Sequence, residues 1–238
     1  ARRAGRPAEA LARLEADGGA ALRTSVGQNV RGDIFLKAGK SHEALKAFDA
    51  AIRLAPSAPE AHCNRGAALQ ELGRLEEALA AEDKALRLRP NYATAHFNRG
   101  NILKALGRNE EAVAAYGRAL TARPGYAEAL VNRGTALLTT SKALEALSDF
   151  GQALTAQPNL AAAYLGRATA YRDLGQPEMA LAALATAQQL DPGNLETTRL
   201  RHRVLFLAER YEEALAEIDA IIARDPDEAA ARREQART

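Results

Sequence analysis

The side chains that could do chemistry are few, and their spacing is the first thing to test. Four histidines (His42, His62, His96, His202) and one cysteine, Cys63, are the candidate metal ligands and nucleophiles. His62 and His96 stand 34 residues apart, in the same local wording: "HCNRGA" and "HFNRGN". Equivalent positions in neighbouring packed helical units lie roughly 8–10 Å apart. One zinc ion needs its ligands at about 2.0–2.1 Å, so the two histidines are not expected to share one. Paired glutamates (Glu76-Glu77, Glu110-Glu111, Glu212-Glu213) would suit acid–base work. Each pair, however, opens a helical stretch, where carboxylates complement the helix dipole. No phosphate loop, GxGxxG, HExxH, CxxC or Gly-x-Ser-x-Gly pattern occurs. The reading is a chain with no catalytic residues, no metal site and no cofactor.

The remaining candidates are rows. Asn64, Asn98 and Asn132 recur at a fixed interval of 34, each followed by arginine (Arg65, Arg99, Arg133) and glycine (Gly66, Gly100, Gly134). Arginine continues at Arg31, Arg167 and Arg201. An arginine row suggests an anion ladder. It equally suggests stems lying over apolar surface with heads reaching water or a carboxylate, which is the reading preferred here.

These rows belong to a repeat that runs through most of the chain. Proline falls at Pro56, Pro90, Pro124, Pro158, Pro192 and Pro226, each 34 residues from the last, with Ala44, Ala78, Ala112, Ala146, Ala180 and Ala214 twelve residues before. Gly39, Gly73, Gly107 and Gly175 keep the same register. Each period reads as two helices. "ATAHFNRGNILKAL" has helical rhythm, Gly107 stops it, and "RNEEAVAAYGRALTAR" resumes it. Small residues such as Gly100, Ala112 and Ala119 let helix axes approach closely, and a bulky residue there would wedge them apart.

Composition narrows the function classes. A formal charge of +2 over 238 residues leaves no nucleic-acid or membrane-seeking footprint. No apolar run approaches the roughly 18 residues of a membrane span. One cysteine excludes an internal disulfide framework. The opening Ala-Arg-Arg suggests a fragment or processed product, and the compartment stays open, with the cytoplasm favoured.

The combined Gly, Ala, Ala and Pro positions resemble the tetratricopeptide repeat (TPR) family over about 25–228, six units. The resemblance implies an all-α, right-handed superhelical solenoid of helix-turn-helix units whose first helices line a concave groove. Residues 1–24 read as the second helix of a truncated preceding repeat with its connector, and 229–238 as the start of a seventh or capping helix. There are departures. Glu82 stands where other units have Phe48, Tyr116 and Phe150, and His202 replaces the first-helix glycine of the sixth unit. The wording also resembles repeat arrays of bacterial O-linked N-acetylglucosamine transferase-like proteins, where asparagines at this place hold peptide backbone.

At about 100° per residue, Thr94, Phe97, Asn98, Asn101, Lys104 and Ala105 share one face of their helix, opposite His96, Arg99, Gly100 and Leu103. Glycine and leucine belong to the packed side, so the Asn98 face is expected to be free. Asparagine is a mediocre helix former with no evident packing reason to recur there. One carboxamide per unit, about every third residue of an extended peptide, would both donate to and accept from its backbone. Replacing the three asparagines by alanine is then expected to abolish capture and leave melting nearly unchanged. A second row, Cys63, Phe97, Val131 and Leu165, is expected to offer apolar surface to the partner's side chains. Lys104 and Arg172 are read as isolated positive points. The groove set is therefore Asn64, Asn98, Asn132, Asn101, Phe97, Val131, Leu165, Lys104 and Arg172.

The function expected is a scaffold that binds a protein or an extended peptide segment. The alternatives are a substrate-recognition or regulatory region of a larger, glycosyltransferase-like enzyme, and an assembly scaffold that forms homo-oligomers through its terminal repeats.

Overall fold

The computed structural model describes residues 11, 12, 14 and 19–216. Most of the truncated unit expected over 1–24, and all of 229–238, lie outside them. Among the described residues all regular structure is helical. A short 3-10 turn, Ala21–Arg23, precedes α1 (Ser25–Lys37), α2 (Ser41–Leu54), α3 (Pro59–Glu71), α4 (Leu75–Leu88), α5 (Ala93–Ala105) and α6 (Asn109–Ala122). Then follow α7 (Ala127–Thr139), α8 (Ala143–Ala156), α9 (Ala161–Asp173), α10 (Pro177–Leu190) and α11 (Leu195–Leu207). The chain forms two compact units that meet in sequence between Pro124 and Gly125.

The helix boundaries follow local chemistry. Thr24 caps α1 by accepting from the Gly27 N–H, and Asn194 caps α11 by accepting from Glu196 and Thr197. Pro59 and Pro177 open α3 and α10, where a missing N–H costs nothing. The paired glutamates lie in the first turns of α4 and α6. Glu77, Glu111 and Glu213 each take a two-pronged hydrogen bond from the arginine three residues earlier: Arg74, Arg108 and Arg210.

Between paired helices the turn needs a left-handed residue. Gly39, Gly73, Gly107 and Gly175 supply it, with φ between +69° and +74°. At the equivalent places Ser141 and Glu209 adopt φ of 58° and 59°.

Within the first four helix pairs the first-helix glycine fits beneath a large side chain sixteen residues later. A Cβ on Gly32 would meet the Phe48 ring at 2.3 Å, one on Gly100 the Tyr116 ring at 2.5 Å, and one on Gly134 the Phe150 ring at 2.8 Å. Phe48, Tyr116 and Phe150 are fully buried, with Ala44, Ala51, Ala112, Ala119, Ala146 and Ala153 beside them on the same helices. The close approach expected from the small residues is present, but an aromatic ring fills the space under the glycine. In the sixth period His202 keeps the contact in another form, its Nδ1–H donating to the Ala214 carbonyl at 3.0 Å.

Candidate functional site: the first-helix faces

The arginine row is structural at three positions. Arg65 donates to Asp49 at 2.8 Å and Arg99 to Asp83 at 2.8 Å, each reaching back sixteen residues to the preceding second helix. Arg133 reaches sixteen residues forward instead, with Nε and Nη2 on the two oxygens of Asp149 at 2.7 and 2.5 Å. Where Gly151 occupies the acid's place, Arg167 lies over the Tyr171 ring, 5.7 Å from its centroid. Two of the histidines, His62 and His96, are structural too. Nε2 of His62 donates to the Pro56 carbonyl at 2.9 Å and that of His96 to Pro90 at 2.8 Å, tying each first helix to the loop before it. Burial holds the His96 pKa below its usual value, so the ring stays neutral. No group of three or more metal-ligating side chains occurs among the described residues.

In the first unit, α3 and α5 carry two members of the asparagine row, Asn64 and Asn98, both half-buried. Their amide hydrogens are already engaged. Asn64 Nδ2 donates to Asp33 Oδ1 at 2.9 Å and to Asn29 Oδ1 at 3.3 Å. Asn98 Nδ2 donates to Glu82 Oε1 at 3.0 Å and to Cys63 Sγ at 3.3 Å. These bonds correct the expectation from sequence twice. The asparagines do have a packing reason to recur, and what each side chain retains for a ligand is its carbonyl oxygen, an acceptor only. Alanine at Asn98 would also strip Glu82 of its donor, so unchanged melting is not expected of that variant.

The other first-unit candidates surround the same face. Phe97 is half-buried, 6.0 Å from the Tyr116 ring centroid, and the Tyr116 hydroxyl donates to Asn101 at 2.8 Å. Lys104 is half-buried in the last turn of α5. Cys63 departs from the expected apolar row. It is 1% exposed, and burial raises its thiol pKa well above the ordinary range, so it is neither a contact surface nor a nucleophile.

In the second unit, α7 and α9 form the walls of a groove of about 500 Å³. It is lined by Val131, Asn132, Leu165 and Arg172, with Thr135, Ala162 and Glu196 at its edges. Four of the nine expected residues therefore converge here. Val131 and Leu165 are half-buried, and Leu165 also packs on the core of Ala168, Leu184 and Leu200. Arg172 is not an isolated charge, since both Nε and Nη2 donate to Asp173 at 3.0 and 2.7 Å. A depression of about 700 Å³ in the first unit, between Asp83, Arg87, His96 and Arg118, contains none of the expected residues. Its Arg99 and His96 already hold Asp83 and Pro90.

Models of the tetratricopeptide repeat match residues 29–93, 97–159, 131–194 and 172–237. The chain belongs to the tetratricopeptide repeat family. Solved structures agree on its fold class, an all-α helical-repeat solenoid. A TPR protein from Parabacteroides merdae aligns with a TM-score of 0.72 at 23% identity, over 84% of this chain and 79% of its own. PilF of Pseudomonas aeruginosa aligns at 0.76 and 21% identity, over 90% and 97%. YrrB, described as a TPR protein with an unusual peptide-binding site, aligns at 0.65 and 26% identity, over 80% and 98%. Among curated proteins none matches. Proteins built from TPR units are in general interaction scaffolds rather than catalysts, and no helix described in this TPR chain is long and apolar enough to cross a membrane.

Two sixteen-residue spacings, from glycine to ring and between aspartate and arginine, hold these helices together, and the 34-residue period alone does not reveal them. Both are nonetheless signals in the sequence: Gly32/Phe48, Gly100/Tyr116 and Gly134/Phe150 for the first, Asp49/Arg65 and Asp83/Arg99 for the second. A comparison of the sequence with itself at an offset of sixteen residues finds them.

Proposed function

We propose that this chain is a protein-interaction module that holds an extended peptide segment against its first-helix faces. The observation that carries the reading is the 500 Å³ groove of the second unit, where Val131 and Leu165 offer apolar wall and Asn132 and Arg172 polar groups. Half-buried apolar residues beside a few polar ones are the usual make-up of a ligand groove. The first unit by itself presents the Asn64 and Asn98 carbonyl oxygens, acceptors suited to backbone N–H groups. A helical ligand has already spent those hydrogens within itself, whereas an extended one presents them at about 3.3 Å per residue. That the 26%-identical YrrB is described as having a peptide-binding site supports the same class of ligand.

The test is selection of dodecapeptides from a random displayed library, followed by affinity measurement on the best synthetic peptide. Thr135 and Ala162 are exposed positions at the groove edge. T135R and A162R fill the groove without entering the core, and are expected to weaken the peptide at least tenfold at unchanged melting temperature. Undiminished affinity in both variants would overturn the reading.

A further inference from the structure

Three of the second helices in the first four repeats place a ring beneath the first-helix glycine; α4 places Glu82 there. The fit is as tight as for the rings, since a Cβ on Gly66 would come within 2.5 Å of Glu82 Oε1. Glu82 is 0% exposed. Its Oε1 accepts from Asn98, while its Oε2 is buried without a partner. The groups that face it are Cys63 from α3, Asn98 from α5 and its neighbour Asp83, whose carboxylate is held by Arg99. Tyr92, ahead of α5, lies behind Cys63. Among the described residues no cation reaches the carboxyl.

A carboxylate with one unpartnered oxygen in a slot otherwise filled by aromatic rings is costly to keep ionised. The neutral acid fits, with Oε1 free to accept and the proton on Oε2. We propose that Glu82 is a positioning residue for the first unit's groove: in its neutral form it holds one Asn98 amide hydrogen inward, beside the one on Cys63 Sγ, and leaves the Asn98 Oδ1 to a ligand. Loss of the proton places a bare anion in the slot. The bond from Asn98 favours the anion, but the cost of burying the charge outweighs it. The carboxylate therefore draws in water or swings toward solvent, the Asn98 amide is released, and the acceptor is no longer held in place. Burial raises the Glu82 pKa to about 8, so both states lie within reach of ordinary conditions. The response of the Asn98 amide to Glu82 ionisation is independent of any ligand; its consequence for binding rests on the groove proposed above.

The two parts separate experimentally. The side-chain NH₂ resonances of Asn98 are followed by NMR from pH 6 to 9.5 in the wild type, E82Q and E82F. The wild-type signals are expected to move with a midpoint near 8. E82Q, which keeps the acceptor and cannot ionise, should hold them fixed at the low-pH position. E82F, which restores the side chain found in other repeats, should keep the fold by circular dichroism and shift them to a free-amide position at every pH. Wild-type signals that do not titrate, or E82F signals that stay in place, would overturn the proposal. Affinity for the selected dodecapeptide should fall about tenfold above pH 8.5 in the wild type and stay constant in E82Q. A titrating Asn98 with constant wild-type affinity would overturn the role in ligand binding, and a titrating Asn98 with no peptide bound at any pH would overturn the groove reading alone.

Discussion

Arg133 grips Asp149 with a two-pronged ion pair at 2.5 and 2.7 Å, and Asp149 is only 2% exposed. The pair joins α7 to α8 inside one repeat, whereas Arg65 and Arg99 reach back to the repeat before. Hydrogen bonding to Asp149 raises the Arg133 pKa still further, so the guanidinium is charged at every accessible pH. Removing one partner of a buried pair leaves the other charge uncompensated, typically at about 3–5 kcal/mol. R133A is therefore expected to destabilise the second unit by that amount in urea denaturation. The double replacement R133M/D149L should recover most of it. A cost for R133A no greater than for R65A, whose partner Asp49 is far more exposed, would contradict this account.

Glu82 gives the protein a stability that depends on pH in an unusual direction. Its pKa is raised from 4.5 to about 8, so between those values the unfolded chain has released a proton that the folded chain retains. The stability linked to this group is full below pH 4.5, declines as pH rises, and is wholly lost above about 8. E82Q should flatten the decline and raise stability at pH 8.5 by roughly 3–5 kcal/mol, since each tenfold change in proton affinity is worth about 1.4 kcal/mol. Thermal melts of both proteins across pH 5–9 measure the difference. Parallel curves would show that Glu82 is not the titrating group.

Ser141 and Glu209 occupy left-handed turn positions that glycine fills elsewhere. A side chain costs roughly 1–2 kcal/mol in that conformation, and glycine returns part of the gain through its freer unfolded chain. S141G and E209G should each stabilise by about 0.5–1 kcal/mol, seen as a rise in melting temperature. G107S, the reverse change at the equivalent turn, should destabilise by a similar amount.

Much of the fold was legible because its signals are periodic. Pro124, Gly107 and Ala112 mark unit end, turn and close contact in a single 34-residue window, and each does so again in other windows. The packed side of α5 was also legible, since Gly100 and Leu103 can only face inward; both are buried. The site was less so. A helical wheel gives the direction of Asn98 but not what stands opposite, and its partners Glu82 and Cys63 come from two other helices. Nor does the wheel show that Cys63, nominally beside the free face, is closed off by its neighbours. Arg172 looked unpaired because adjacent residues on a helix point apart, yet its long side chain bends back to Asp173.

The central claim is that a partner's backbone N–H groups are what the asparagine carbonyls receive. It is tested most directly from the ligand side, which leaves the Asn64–Asp33 and Asn98–Glu82 bonds intact. The selected dodecapeptide is synthesised with a single backbone N-methyl group at each position in turn, and the affinity of each version is measured by titration calorimetry. Two or more positions, spaced about three residues apart, are expected to lose about tenfold on methylation, near the upper range for one lost hydrogen bond. Affinity indifferent to methylation at every position would contradict the account.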